Sequence, residues 1–225
     1  MNLLITSAAS ATAQLIAGEL RGKHTLRLTD LPANASGDIV ANELGHESET
    51  DDLVAGIDAI VNVGYQGQSG SPAHLMDYNT RRMYNLLQAA SDAGVRRHIN
   101  ISTLRLYEDH EENLVVTEKW RTDPSAEDVD LLNAHMAEYV CKEFARDRLI
   151  QVANLRLGWP FNSIDPDDTA TVSTSLIGAA IEEALVSEEL IQWQDIHIQS
   201  PVKHQRFITN TAVRLLPGLA GSLSS

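Results

Sequence analysis

The sequence contains very few cysteines and no long apolar run. Cys141 is the one cysteine among 225 residues, so no disulfide can form within the chain. Without a cysteine pair, and with an opening that we interpret as a first strand and not as a leader, we expect a reducing, cytoplasmic location. No apolar stretch approaches the roughly 20 residues that span a bilayer, so we expect no membrane-embedded segment.

Basic side chains are also scarce. The 17 lysines and arginines are outnumbered by 31 aspartates and glutamates, and the formal net charge is −14. A field of this sign repels polyanions, so we expect neither nucleic acid nor an anionic membrane surface as a partner. A dinucleotide is anionic too, and any site for one must depend on local backbone donors that act against the overall field.

Patterns typical of metal sites and of serine hydrolases are missing. None of the eight histidines forms an H-x-x-x-H or H-E-x-x-H pair, so we expect no metal site. Ser102 lacks the G-x-S-x-G context of a hydrolase nucleophile. Neither a metalloenzyme nor a serine hydrolase is therefore predicted.

Short apolar runs alternate with amphipathic segments along most of the chain. Residues 3–5 and 59–63 are typical of buried parallel strands, and 74–93 has the length and periodicity of a helix. This alternation predicts an α/β fold with a doubly wound parallel sheet of the Rossmann type. We predict a nucleotide-binding core over residues 1–161 and a short C-terminal subdomain over 162–225 that packs on it.

The turn after the first strand contains no glycine. Residues 6–13 are T-S-A-A-S-A-T-A and lead directly into a helix. A dinucleotide site needs a tight turn and a close backbone approach at this point, for which glycine is the usual residue. Because every replacement is small, two interpretations stay open: a strand–helix turn that binds nothing, and a nucleotide site in which serine hydroxyls donate to phosphate.

A more specific motif follows in the middle of the chain. Residues 79–97 are N-T-R-R-M-Y-N-L-L-Q-A-A-S-D-A-G-V-R-R, and residues 101–107 are I-S-T-L-R-L-Y. These segments resemble the N-x5-N-L-L-x-A-A-x3-G-V-K-R helix and the S-S-x-x-V-Y strand end of the extended short-chain dehydrogenases, the NAD-dependent epimerase/dehydratase family. With the first turn and the later segments included, the resemblance spans most of the chain.

The resemblance implies a site for NAD. Ser7, Ser10 and Ala13 fall on the three glycine positions of the family's turn, and these replacements imply that NAD binding is weakened or absent. Asp30 falls on the acid that binds the adenosine ribose and favours NAD over NADP, although aspartate before a turn is also common for turn geometry alone. The cofactor-binding positions implied in this way are Ser7, Ala9, Ser10, Ala11, Ala13, Asp30, Glu43, Leu44, Gly64 and Asn79.

The catalytic positions of the family are only partly kept. The family's reaction implies a serine or threonine, a tyrosine acid/base, and a lysine four residues after the tyrosine. Thr103 falls on the first position, but anchoring the helix pattern at Glu138 places Asp130 at the tyrosine and Ala134 at the lysine. No Tyr-x-x-x-Lys occurs in the sequence. Thr103 and Asp130 therefore mark vestigial catalytic positions.

Two hypotheses of function arise from these replacements. In the first, the chain keeps the family's fold, has lost the Tyr/Lys hydride-transfer chemistry, and acts as a binding, sensing or scaffold protein. In the second, it is an active NAD-dependent oxidoreductase or epimerase on a sugar, sugar acid or nucleotide-sugar with a rearranged site. The tail from Arg206 and Phe207 resembles sugar-directed members, including uronate dehydrogenases, which implies a small sugar-like ligand.

The resemblance also implies a homodimer. Family members pair through two helices that correspond to residues 74–93 and 131–147 here. The apolar side chains that could contact a second copy, or could instead face the chain's own sheet, are Met76, Met83, Leu87, Met136 and Val140.

Overall fold

The computed structural model of the chain describes residues 1–66, 68, 70–111, 113–163, 165 and 167–223. Its strands are β1 (Asn2–Ile5), β2 (Thr25–Asp30), β3 (Val40–Ala41), β4 (Ala59–Asn62), β5 (Arg97–Thr103), β6 (Gln151–Leu157) and β7 (Trp193–Ile198). Its α-helices are α1 (Ala11–Leu20), α2 (Ser48–Val54), α3 (Pro72–Asp77), α4 (Met83–Asp92), α5 (Val129–Arg146), α6 (Thr174–Val186), α7 (Asn210–Leu215) and α8 (Ala220–Leu223).

The strands form one parallel sheet in the order β3-β2-β1-β4-β5-β6-β7. Because successive strand residues point to opposite faces, Leu3 and Ile5 pack in a layer with α1 and α6, whereas Leu4 packs in a layer with α2, α4 and α5. Helices therefore cover both faces, and the predicted doubly wound fold is confirmed. The strand order reverses between β1 and β4, where such folds bind ligands.

The tail contributes both to the sheet and to a helical layer. β7 pairs with β6, and α6 packs against α1. The tail also approaches the core at Gly158, where a Cβ would lie 1.7 Å from the carbonyl oxygen of Ala170. Only glycine permits this contact. The division at residue 161 stays a prediction, since no finding tests it.

The helix predicted over residues 74–93 is interrupted. α3 and α4 are joined by one π-helical turn, Tyr78–Arg82. Met83 and Leu87 are buried in the chain's own core and do not face outwards, whereas Tyr84 on α4 and Tyr139 on α5 are exposed. The predicted homodimer stays a prediction, and Met83 and Leu87 are not available for its contacts, whereas Met76, Met136 and Val140 are half-exposed.

A row of buried polar side chains crosses the sheet beneath α5. Thr6 Oγ1 donates to Asn62 Oδ1 at 2.7 Å, and Asn62 Nδ2 donates to Asn100 Oδ1 at 2.9 Å. Asn100 donates in turn to Asn154 at 2.8 Å, and Asn154 donates to Asp195 Oδ1 at 2.7 Å. The last four residues are direct register partners on β4 to β7, so each amide satisfies its neighbour.

A buried ion cluster holds α5 to the far side of the sheet. Arg156 on β6 donates to both carboxylate oxygens of Glu138 on α5, at 2.8 and 2.6 Å, and lies 3.0 Å from Asp195 Oδ1. Burial raises the pKa of Glu138, but the attraction of Arg156 outweighs burial and holds that pKa below its usual value. Burial raises the pKa of Asp195, and Arg156 opposes that shift only in part.

Among the described residues, no helix is both long and apolar enough to cross a membrane. In the same part of the chain, no group of three or more histidine, cysteine, aspartate or glutamate side chains could hold a metal ion.

Two buried histidines predict that stability depends on pH. Burial lowers the pKa of His98 to about 3, and burial together with Arg156 lowers the pKa of His197 to about 3. The unfolded chain protonates these rings near the ordinary value of about 6.5, but the native state excludes the proton, so their contribution is full above that pH and lost as the pH falls towards 3. We expect the free energy of unfolding to drop by about 2 kcal/mol per buried histidine between pH 7 and pH 5.

Urea denaturation at the two pH values measures this drop. The variant His98→Asn should lose about half of the histidine-linked pH dependence, and a control at the exposed His46, His46→Asn, should keep it. A pH dependence that is the same in His98→Asn and in the native chain would contradict the assignment.

Candidate functional site

The turn between β1 and α1 keeps its shape although it lacks glycine. Ser7 adopts φ 50°, the left-handed conformation that glycine adopts most easily, and it is fully buried. The Ser10 amide donates to the Ser7 carbonyl at 3.0 Å, which closes the turn. The Ser10 hydroxyl caps α1 by accepting from the Ala13 amide at 3.1 Å. The serines therefore build the turn, and the cap hydroxyl is already in use.

Asp30, at the end of β2, is surrounded by donors from its own chain. Its Oδ2 accepts from the Ala9 amide at 2.9 Å, and its Oδ1 accepts from the Leu31 amide at 2.7 Å. The side-chain amides of Asn34 and Gln68 also donate to Oδ1, at 3.1 and 2.8 Å. Three of these donors reach Oδ1 and one reaches Oδ2, so Oδ1 is fully used while Oδ2 keeps a lone pair. A ribose hydroxyl at Oδ1 would have to displace one of these donors.

Gln68 bridges the two sides of the predicted cofactor groove. Its Nε2 donates to Asp30 Oδ1 at 2.8 Å and lies 3.2 Å from Ser7 Oγ, to which it also donates. The Ser7 hydroxyl donates in turn to Tyr78 Oη at 3.0 Å. Burial raises the pKa of Tyr78 to about 12, so this phenol stays neutral. Ser7, which the resemblance places at the phosphates, and Asp30, which it places at the ribose, are thus joined through Gln68.

The other predicted positions of the turn differ in exposure. Ala9 and Ala11 are exposed at the start of α1, whereas Ala13 is fully buried in the core. A helix start with exposed small residues leaves room for an anion near the α1 amides. This is the part of the predicted NAD site that the structure leaves open.

Glu43 and Leu44 lie beside the groove with partners of their own. Arg82, in the π-helical turn, forms an ion pair with Glu43 and also donates to the Glu43 carbonyl. Leu44 is buried, and its carbonyl accepts from Asn85 at 3.0 Å. Leu44 therefore belongs to the core, and Glu43 is held towards α4.

Gly64 and Asn79 meet at the end of β4. A Cβ at Gly64 would lie 2.9 Å from Asn62 Nδ2 and 3.0 Å from Asn79 Oδ1, so a larger residue would clash. Asn79 is fully buried and donates to the Leu75 carbonyl at 2.9 Å, and its Oδ1 has no partner among the described residues. The π-helical turn that carries Asn79 brings it to this contact.

The two vestigial catalytic positions do not meet in a hydrogen-bonded pair. Thr103 is buried at the end of β5, and its hydroxyl accepts from the Arg105 amide at 3.2 Å, which caps a 3₁₀ turn. Asp130 is exposed in the first turn of α5, and within the described residues its carboxylate has no hydrogen bond or ion pair.

The position of the missing lysine is closed. Ala134 on α5 is 1% exposed and packs in one apolar cluster with Tyr65, Leu106 and Leu131. Tyr65 follows Gly64 after β4 and is itself buried. A residue four before Glu138 shares its helix face, so position 134 points inwards as the family's lysine would. The apolar body of Tyr65 lies there instead of an ammonium group.

The remaining Tyr and Lys of α5 do not replace the lost pair. Tyr139 and Lys142 are both exposed, and Tyr139 follows Asp130 by two and a half helical turns, about 14 Å along the axis. They line other cavities of the molecule.

The residues present do not fit NAD held in the manner that the resemblance implies. At the adenosine end, three donors of the chain already use Asp30 Oδ1. At the nicotinamide end, Ala134 supplies no cation and lies in an apolar cluster with Tyr65. Only the start of α1 keeps the expected open geometry.

Sequence reasoning missed the two residues that close the site. Tyr65 and Gln68 lie between β4 and α3, in a segment for which the sequence pattern predicts no contact. The sequence does show a bulky aromatic residue, Tyr65, directly after Gly64, and this was the available signal that a ring fills space at the end of β4. Nothing in the spacing of Gln68 indicates its contact with Asp30, which depends on the folded loop.

The chain belongs to the NAD-dependent epimerase/dehydratase family, whose model matches residues 8–201. Comparison with curated protein sequences gives no match.

Solved structures of low sequence identity share the fold. A glucuronic acid dehydrogenase from Chromohalobacter salexigens is 20% identical, with a TM-score of 0.81 over 100% of this chain and 84% of that one. A uronate dehydrogenase mutant from Agrobacterium tumefaciens, in complex with NAD, is 18% identical, with a TM-score of 0.80 over 100% and 84%. A UDP-N-acetylglucosamine 4-epimerase from Bacillus cereus is 15% identical, with a TM-score of 0.77 over 96% and 92%.

Restoring the lysine alone should destabilise the protein. Ala134→Lys places an ammonium group against Tyr65 and Leu106, and the desolvation cost should be about 3 kcal/mol, or a fall in Tm of about 10 °C. Asp130→Lys, at the exposed end of the same helix, is the control and should change Tm little. Thermal unfolding followed by circular dichroism measures both.

A double variant tests whether packing against Tyr65, and not a general intolerance of lysine in α5, causes this loss of stability. Tyr65→Ala combined with Ala134→Lys makes room for the lysine side chain and should recover part of the lost Tm. An Ala134→Lys protein as stable as the native chain would contradict the burial of position 134 in an apolar cluster.

Proposed function

We propose that this member of the NAD-dependent epimerase/dehydratase family no longer performs hydride transfer by the family's Tyr/Lys route, and that it works as a binding, sensing or scaffold protein. One observation supports the proposal: Ala134, which the resemblance aligns with the lysine, is buried in an apolar cluster with Tyr65. A cation at this position would lower the pKa of a neighbouring phenol. Here position 134 carries no cation, and the position aligned with the tyrosine is Asp130.

The residues that remain have structural tasks that they can perform without a ligand. Thr103 caps a turn, Ser10 caps α1, and Ser7 forms the β1–α1 turn. Thr103 and Ser10 each satisfy a backbone amide that would otherwise be left unpaired, and the Ser7 hydroxyl bonds to Tyr78 and Gln68, so these residues stabilise the fold without a ligand.

Weak NAD binding, or none, belongs to the same proposal. NAD supplies a hydride acceptor when it is bound, and relatives of this fold have been solved with NAD. In this chain the start of α1 could hold a phosphate, but Asp30 can accept from a ribose hydroxyl at Oδ1 only if Gln68 or another donor leaves that oxygen. Breaking those hydrogen bonds reduces the affinity.

The alternative is an active NAD-dependent oxidoreductase or epimerase on a sugar, sugar acid or nucleotide-sugar. Two observations favour it: Thr103 keeps the family's hydroxyl, and similar structures include dehydrogenases of uronic acids and an epimerase of a nucleotide-sugar. This alternative requires a proton acceptor other than the missing tyrosine. Asp130, which the resemblance aligns with the tyrosine, is the residue that would take this role.

Calorimetric titration with NAD and NADP distinguishes the two hypotheses. We expect no binding heat from the native chain at millimolar cofactor. Gln68→Ala removes one of the three donors on Asp30 Oδ1 and the link from Asp30 to Ser7, so it should bind NAD at least about ten-fold more tightly. Gln88→Ala, which removes a half-buried glutamine that donates to Asp92, is the matched control and should behave as the native chain.

The same proteins are then assayed for NADH formation with glucuronate and galacturonate. Tight NAD binding by the native chain together with turnover would establish the alternative. Equal NAD affinity in Gln68→Ala and the native chain would show that Gln68 is not what closes the groove.

A further inference from the structure

A cavity of about 470 Å³ lies beside the middle of α5. Its walls are the segment 118–122, the central turns of α5, and the first residues of β7. Neither Asp30 nor Thr103 lines it, so it is separate from the predicted nucleotide groove. Its volume lies in the range of small-molecule sites. A neighbouring cavity of about 540 Å³ shares Glu118 and Lys119 with it, so the space extends to both sides of these residues.

The walls of this cavity are rich in aromatic rings. Aromatic residues make up only 5% of the chain, yet Trp120, Tyr139 and Trp193 all line it. The indole nitrogen of Trp193 donates to Asp195 at 2.9 Å, which fixes the orientation of that ring. Fixed aromatic faces favour a planar ligand, because rings stack or pack edge to face.

The rim of the cavity is positive although the protein is strongly negative. Lys119, Arg121 and Lys142 are exposed there, and within the described part of the chain none of them forms an ion pair. Lys142 lies 5.8 Å from the centroid of the Trp193 ring, in cation–π range. In a chain of net charge −14, three unpaired cations around one cavity favour an anionic ligand.

The floor of the cavity has little hydrogen-bonding capacity left. Arg156 binds both Glu138 and Asp195 through Nε and Nη2, and its Nη1 donates to the Tyr107 hydroxyl. A sugar with several hydroxyl groups would find few free partners on this floor. One buried acceptor is unpaired, because the Oε1 of Glu118 has no partner among the described residues. An unpaired buried acceptor favours a ligand with a single donor.

We propose that this cavity binds a planar aromatic anion that carries one hydrogen-bond donor, such as a hydroxylated aromatic carboxylate. The ring packs between Trp120 and Trp193, the anionic group lies among the rim cations, and the donor reaches Glu118. The inference goes beyond the function proposed above. Binding of NAD at the β1–α1 turn neither requires nor prevents a ligand in this cavity. A result that contradicts one proposal therefore leaves the other standing.

Nuclear magnetic resonance of the indole N–H groups tests the proposal in the full chain. The chain has three tryptophans, and Trp159 does not line the cavity, so its signal is an internal control. With 4-hydroxybenzoate as the probe, the Trp120 and Trp193 signals should shift saturably, with a Kd of about 1 mM or tighter, while Trp159 stays in place. Absence of a saturable shift, or an equal shift of Trp159, would overturn the proposal.

Two further comparisons test the chemistry of the ligand. Glucuronate, an anion without an aromatic ring, should give no saturable shift, and binding as tight as that of 4-hydroxybenzoate would overturn the aromatic assignment. Benzoate, which lacks the donor, should bind several-fold more weakly, and equal binding would remove the role of Glu118.

Two lysine variants test the role of the rim charge. Lys142→Gln should weaken the binding of 4-hydroxybenzoate by about five-fold, because one of three rim cations is lost. Lys23→Gln, at an exposed lysine that pairs with Glu182 elsewhere on the molecule, should leave the Kd unchanged. Equal affinities in Lys142→Gln, Lys23→Gln and the native chain would overturn the assignment of the anion to this rim.

Discussion

The guanidinium of Arg156 lies buried between Glu138 and Asp195, and this cluster determines how α5 sits on the sheet. Removing one charge of such a cluster leaves another without compensation in a medium of low polarity, so the cluster fixes the rotation of the helix. With Glu138 turned towards β6, Ala134 one helical turn earlier also points inwards, and Asp130 lies at the exposed end. The same helix face that would carry a catalytic tyrosine and lysine, if Glu138 is aligned with the family's pattern, carries Asp130 and Ala134 here.

Both ends of the nucleotide groove are closed by the chain's own side chains. Gln68 and the backbone amides around Asp30 satisfy the carboxylate that would otherwise bind a ribose. At the other end, Tyr65 covers Ala134. These closures arise from separate residues and separate interactions, one polar and one apolar. A groove that stabilises itself at both ends gains less from a cofactor than one that needs the cofactor to satisfy its buried groups.

Strand–helix alternation was sufficient to predict the fold, because the central strands β1 and β4 are short apolar runs between helical segments. The assignment of Asp130 and Ala134 to the replaced positions stays a prediction that depends on the helix spacing from Glu138. The closure by Gln68 and Tyr65 could not, because a loop conformation depends on tertiary contacts that no local pattern encodes. The π-helical turn at Tyr78–Arg82 was missed for a related reason: it adds one residue to a turn without altering the apolar periodicity.

The central claim is that Gln68 and Tyr65, and not a dinucleotide, occupy the groove. A crystal structure determined after soaking with millimolar NAD tests it most directly. The account predicts that the Gln68 amide stays on Asp30, that the Tyr65 ring stays on Ala134, and that no density for a dinucleotide follows the β1–α1 turn. Density for NAD with its adenosine ribose on Asp30 and Gln68 displaced would contradict the account.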